Sequence, residues 1–130
     1  MTFTHAAAPY AVTIRPDGWF ELADWTPTAT AAADALNCRL ARPVAVSAQL
    51  TMWVDEDAVS HGLPFNSPAA KVLRVLRAHA YPSFGPILFT GRTDPTADPS
   101  AYGLTEDQAL QLIERHLTRL AKIPQQRTRR

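Results

Sequence analysis

The sequence predicts a single α+β domain with the element order β-β-α-β-β-α-β-α. Three observations predict it. Short β-rich runs alternate with stretches of helical periodicity, turn and cap residues stand between them, and no repeat or composition shift divides the 130 residues. The expected architecture is an antiparallel or mixed sheet of about five short strands packed against about three helices. Residues 1–9 read as a flexible arm, 10–124 as the domain, and 125–130 as a disordered basic tail.

The first element is "YAVTI", which alternates Tyr10, Val12 and Ile14 on one face with Ala11 and Thr13 on the other. "RPDG" follows, where Pro16 presets φ and Asp17-Gly18 tolerates the positive φ of a bulged turn. "WFELADW" returns as the second strand of a hairpin, with Phe20 and Leu22 on one face. In "TPTATAAADALNC" alanines fill a short helix, Thr28 or Thr30 can cap its start, and Asn37 can take the left-handed stop. "PVAV" and "LTMWV", separated by "SAQ", read as a second hairpin.

After Val54 the polar run "DEDAVSHG" reads as a loop, and "NSP" as a helix start with Ser67 as N-cap and Pro68 at the first helical position. Ala69, Val72, Leu73, Leu76 and Ala80 then form an apolar stripe, with Lys71, Arg74 and Arg77 off it. "YPSFG" breaks this helix, "PILFTG" (Pro86–Gly91) reads as a buried strand, and "RTDPTADPSAYG" as a turn-rich loop. Thr105 with Gln108 forms a capping box, and Ala109, Leu112, Ile113, His116, Leu117 and Leu120 share one face of a last helix ended by Pro124. The expected core is Val12, Ile14, Phe20, Leu22, Leu50, Met52, Val54, Val72, Leu73, Leu76, Leu88, Ile113, Leu117 and Leu120.

Composition narrows the function classes. Apolar content of 46% and charged content of 19% are ordinary globular values, against a disordered chain. The one cysteine, Cys38, excludes an intramolecular disulfide framework and a cysteine-only zinc site. The N-terminal residues have neither the basic nor the apolar region of a secretory signal, and no apolar run reaches the roughly 18 residues of a membrane span. A cytoplasmic protein with no membrane partner is expected. Charge is unevenly spread: residues 1–57 carry three basic and seven acidic side chains, 58–107 balance at four each, and 108–130 carry six basic side chains against Glu114.

The stretch "VDEDAVSHGLPFNSPAAKVL" resembles a family of small proteins known as a domain of unknown function, widespread in actinobacteria, other bacteria and their phages and plasmids. Asp55, Glu56, Asp57, Gly62, Leu63, Pro64, Phe65, Asn66, Ala69 and Leu73 occupy matching positions of its Asp-Glu-acid…Gly-Leu-Pro-hydrophobic-Asn motif. "YPSFGPILFTG", with Gly85 and Gly91, is similar to that family's second motif. The likeness covers residues 50–91 well and 10–121 loosely. Ala58 departs from it, standing where the family usually has glycine. The resemblance implies this fold and an association with mobile elements, and it implies no reaction.

Among chemical groups, Asp55, Asp57 and His61 are the weak candidates for a divalent metal. Three consecutive acids leaving a strand point to alternate faces, however, so a solvated connection is the better reading, with Asn66 as a turn or cap residue. His116 lies on an apolar helix face and reads as a core histidine, His5 belongs to the arm and His79 to a helix end. Cys38 beside Arg39 has no catalytic motif around it, and no cofactor motif is present. A phosphate-binding surface could form from Lys71, Arg74 and Arg77 with Arg115, Arg119, Lys122, Arg127, Arg129 and Arg130, provided both helices lie on one side of the sheet. The expectation is therefore a non-catalytic interaction or regulatory domain of phage or plasmid association, acting on another protein such as a host or defence protein. A weak nucleic-acid binder comes second and a metal-assisted hydrolase using the Asp55–His61 loop third.

Overall fold

The computed structural model describes residues 8–26, 28–76, 83–92 and 101–116. Five strands, β1 (Tyr10–Ile14), β2 (Phe20–Asp24), β3 (Ala41–Ser47), β4 (Leu50–Asp55) and β5 (Ile87–Thr90), form one sheet. The helices are α1 (Ala31–Leu36), α2 (Ser67–Val75) and α3, which covers 106–116 of the described residues. This is the α+β order expected from the sequence. Every strand pairing is antiparallel, and the sheet order is β2-β1-β5-β4-β3. The two hairpins thus clasp the late strand β5 between them.

Each hairpin follows from its turn. In the first, the Gly18 N–H donates to the Arg15 carbonyl at 2.9 Å and the Arg15 N–H to the Trp19 carbonyl at 2.8 Å. Gly18 has φ of +93°. A three-residue turn ending in a left-handed bulge needs that conformation, and glycine adopts it without strain. In the second, β3 and β4 pair across a register shift between Ala45 and Ser47. Next to this hairpin the Pro9 carbonyl accepts the Trp25 N–H at 2.6 Å.

The three central strands are covered on both faces. On one face α2 and α3 bury Val12, Ile14, Met52, Ala69, Val72, Leu73, Ile87, Phe89, Leu104, Ala109 and Leu112. On the other, α1 and Trp25 cover Ala11, Ala41, Trp53, Leu88 and Ala101. Two indoles fasten the second layer: Trp53 Nε1–H donates to Thr90 Oγ1 at 2.9 Å and Trp25 Nε1–H to the Ala101 carbonyl at 2.8 Å. Buried indoles keep such partners because an unpaired N–H away from water is costly. Close backbone approach closes this side: the Gly91 N–H meets the Tyr102 carbonyl at 2.8 Å, and a Cβ on Gly91 would strike the Gly103 carbonyl.

Double coverage corrects part of the expected core. Alternation on β1 and β4 separates two buried faces, not an inner and an outer one, so Ala11, Thr13 and Trp53 are buried as well. Leu88 is buried under α1, on the face opposite Phe89. Leu22 is 45% exposed, since β2 is an edge strand with β1 as its one partner among the described strands. Phe20, Leu50, Val54, Leu76 and Ile113 are half-buried at the rim of the main core. Leu117 and Leu120 lie outside the described residues.

Leu73 is fully buried whereas Leu76 borders a groove, so their truncations should differ. Leu73→Ala should lower stability by roughly 2–5 kcal/mol and Leu76→Ala by clearly less, as read from urea unfolding midpoints. Equal losses would mean that α2 is rotated from this register.

Candidate functional site

The stretch from Asp55 to Asn66 links β4 to α2, and its backbone bonds to itself. Asp55 Oδ1 accepts the Asp57 N–H at 2.8 Å and the Asp55 carbonyl accepts the Ala58 N–H at 3.1 Å. One helical turn follows. It closes with the Leu63 N–H on the Ala58 carbonyl and the Gly62 N–H on the Val59 carbonyl, both at 3.0 Å. These are the paired bonds of a Schellman stop, which requires a left-handed residue at the position Gly62 occupies with φ of +69°. The positive φ of the loop thus lies at Gly62, while the departing residue Ala58 is buried beneath the turn.

The acids point into separate tasks. Asp57 pairs with Arg39, whose Nε and Nη2 reach its two carboxylate oxygens at 3.1 and 3.3 Å. Asp55 caps its own turn, and the Glu56 N–H donates to the Leu40 carbonyl at 3.0 Å while its side chain is exposed. Exposed His61 donates its backbone N–H to the Asp57 carbonyl at 3.0 Å. Among the described residues no group of three His, Cys, Asp or Glu side chains is placed to hold a metal ion. Asp55, Asp57 and His61 therefore do not assemble into the site that would support a hydrolase.

Asn66, not Ser67, caps α2. The buried Asn66 Oδ1 accepts the Ala69 N–H at 2.9 Å, and Ser67 and Pro68 are the first helical residues. Asparagine wins the position because its amide also has work on the other side. Its Nδ2 donates to the Ile14 carbonyl at 2.8 Å and to the Gly85 carbonyl at 2.9 Å. A serine hydroxyl has neither the reach nor the second donor. The Asn66 N–H donates to the Ser83 carbonyl and the Gly85 N–H to the Pro64 carbonyl, both at 2.8 Å. The two stretches that carry the family resemblance are thus hydrogen-bonded to each other through Asn66 and Gly85.

The other titratable candidates are structural too. His116 is buried, with its Nε2–H donating to the Gly18 carbonyl at 2.7 Å and its ring edge-on to Phe20 at 5.8 Å. A carbonyl can only accept, so Nε2 carries the proton. This is the core histidine expected, and it ties α3 to the first hairpin turn. Burial, and then the charge of Asp55, push the Cys38 thiol up from its ordinary value. That is the wrong direction for a nucleophile. At the start of α1 the Thr30 hydroxyl bonds the Asp34 carboxylate at 3.2 Å and makes no side-chain cap, while Asn37 takes the expected left-handed stop.

Three of the basic candidates, Lys71, Arg74 and Arg115, lie among the described residues. α2 and α3 pack into the same core, so Lys71, Arg74 and Arg115 share one side of the sheet. Within the described helices, however, Glu106, Asp107 and Glu114 match those three cations one for one. Arg77, Arg119, Lys122, Arg127, Arg129 and Arg130 lie outside the described residues. Beside Arg115 a groove of about 120 Å³ opens between α2, α3 and the β3–β4 turn, floored by Leu50, Leu76, Leu104 and Leu112.

What sequence reasoning missed is the exposed apolar set. Val59 is 72% exposed at the crest of the loop, and Phe65, 48% exposed, stands edge-on to Phe84 at 5.8 Å. The signal was slight: Ala58 and Val59 interrupt a run of polar residues, and the nearest apolar side chain at helical spacing is Leu63. No helix among the described residues is long and apolar enough to cross a membrane. No protein-family model matches the chain, and neither a curated protein nor a solved structure matches it.

Removing the Asn66 side chain takes away the cap of α2 and its bonds to the Ile14 and Gly85 carbonyls, so Asn66→Ala should lower stability by roughly 3 kcal/mol or more, whereas Ser67→Ala should stay within about 0.5 kcal/mol. Chemical denaturation of both variants checks this, and the reverse order would return the cap to Ser67. For Cys38, the folded-state value lies above the unfolded one. Its contribution to stability is therefore present below the ordinary thiol range and lost as pH rises through the raised value. Alkylation at pH 8 should be slower than for an unfolded control peptide, and Asp55→Asn should speed it. A faster native reaction would mark an activated thiolate.

Proposed function

We propose that this chain is a non-catalytic interaction domain that offers the β4–α2 loop to a partner protein. The observation that carries this is Val59, an apolar β-branched side chain exposed on a loop whose turns are closed by its own hydrogen bonds. A loop already held in one conformation loses little entropy on binding, which is what a docking epitope needs. Exposed Glu56 beside it favours a partner with an apolar socket and a basic rim. Association with phages or plasmids, and a host or defence protein as the target, rest on the resemblance of residues 50–91 alone. The second reading is a weak polyanion binder, favoured by the placement of Lys71, Arg74 and Arg115 on one layer and opposed by the carboxylates among them.

Affinity capture with the wild-type chain and with Val59→Asp tests the first reading. A partner should be retained by the wild type and lost by the variant by at least about tenfold, with an unfolding midpoint equivalent to within about 0.5 kcal/mol. A partner held equally by Val59→Asp would remove the loop from the interface. A salt-sensitive DNA gel shift lost on Lys71→Gln with Arg74→Gln would put the second reading first.

A further inference from the structure

The two edges of the sheet are finished differently. On β3, Pro43 removes a backbone donor and the register shift at Ala45–Ser47 bends the strand away, both of which hinder pairing with another chain. β2 (Phe20–Asp24) has neither device. Its only partner among the described strands is β1, and Glu21 to Asp24 are all exposed.

The hydrogen-bond phase of this edge can be read from its two ends. Arg15 bonds Trp19, and Pro9 accepts from Trp25. Bonded pairs alternate along an antiparallel ladder. The register then makes Thr13–Glu21 and Ala11–Ala23 the bonded pairs between. The N–H and C=O groups of Phe20, Leu22 and Asp24 consequently point outward, away from β1.

These outward groups are self-complementary. When a second β2 is laid antiparallel with Leu22 opposite its own copy, Phe20 faces Asp24 of the copy, and each outward N–H meets an outward C=O. Glu21 then faces Ala23, so no like charges stand directly opposite. The side of α3 turned from the groove carries Leu110 and Ile113, because Gln108, Gln111 and Arg115 line the groove on its other side. The contact of His116 with Gly18 and Phe20 sets α3 over the first hairpin. Leu110, 51% exposed, and Leu22 therefore lie on the same side of this edge.

We propose that β2 is the interface of a twofold homodimer in which two sheets join edge to edge at Leu22. The inference is independent of the loop reading above, which concerns Val59. Because β3 is blocked, the association closes at two copies and does not propagate into a fibre. The free edge of a strand is an aggregation hazard, and pairing it with itself removes the hazard.

Sedimentation velocity over a concentration series up to about 1 mM should show a monomer–dimer equilibrium for the wild type. Leu22→Lys, which sets two ammonium groups on the dyad, and Leu22→Pro, which removes an outward N–H without touching the β1 ladder, should both be monomeric. Far-UV circular dichroism should stay at wild-type values in both. Amide exchange on the wild type gives a readout that needs no variant: in the dimer the N–H groups of Phe20, Leu22 and Asp24 should be protected along with those of Glu21 and Ala23. A wild type monomeric throughout, a dimer that survives both substitutions, or rapid exchange confined to residues 20, 22 and 24 would overturn the proposal.

Discussion

The buried side chain of Asn66 is the contact on which the rest of this fold depends. An amide has two donors and an acceptor, and here all three are used across three different elements: the end of β1, the glycine that leads into β5, and the first turn of α2. Each of those groups is a backbone atom of a buried residue. Aspartate would keep the cap and lose both donors, and serine would keep a shorter cap alone. The residue thus fixes where α2 begins relative to the two strands it must cover. Leu73 and Val72 reach Ile14, Ile87 and Phe89 in one core because the helix start is pinned at that point.

The sheet order explains why such a pin is needed. β5 is the last of the described strands in sequence and the central one in space, so it must enter between two hairpins that can form locally. Non-local pairing of that kind carries a loop-closure penalty before its contacts form. Asn66 joins the chain before the long excursion to the strand entry at Gly85, and Trp53 holds the exit of the same strand through Thr90. The central strand is therefore anchored at both ends by polar side chains that are themselves buried. Hydrogen bonds in that setting are directional as well as stabilising, which suits a strand whose register nothing local dictates.

The fold was legible wherever the signal was local. Tyr10–Ile14, the turn at Pro16–Gly18, the left-handed stop at Asn37 and the capping box of Thr105 with Gln108 all sit where their chemistry places them. Errors arose where a residue's neighbour is distant in sequence. Trp53, absent from the expected core, is buried because α1 covers its face, and Leu22, expected in the core, is exposed because β2 is an edge. Ser67 looked like the cap because the local grammar of Ser-Pro is strong. Asn66 takes the role through Ile14 and Gly85, partners 52 and 19 residues away. Of the candidate site, the pairing of Asp57 with Arg39 spans 18 residues and no pattern announced it.

The same architecture explains why the exposed apolar residues fall where they do. The three central strands have both faces covered, so their alternating positions are spent entirely on packing. Among the described residues, exposed apolar side chains then fall on the sheet edge, on connections and on the outer side of α3. At one such connection the acids and Gly62 close a turn that lifts Val59 out, and at one edge β2 carries Leu22 and, just before it, Trp19 at 64% exposure. Scattered exposed leucines are ordinary on any protein. What separates these is rigidity, for Val59 sits on a turn fixed by a Schellman stop and Leu22 on a strand fixed by its ladder with β1. An apolar side chain held in a fixed place is a feature that a partner surface can be shaped against, whereas the same side chain on a loose segment must first be ordered. Asp57 with its guanidinium and His116 with its carbonyl are by contrast engaged within the fold. The polar groups of this domain fix its shape, and its accessible apolar groups are what that shape holds out.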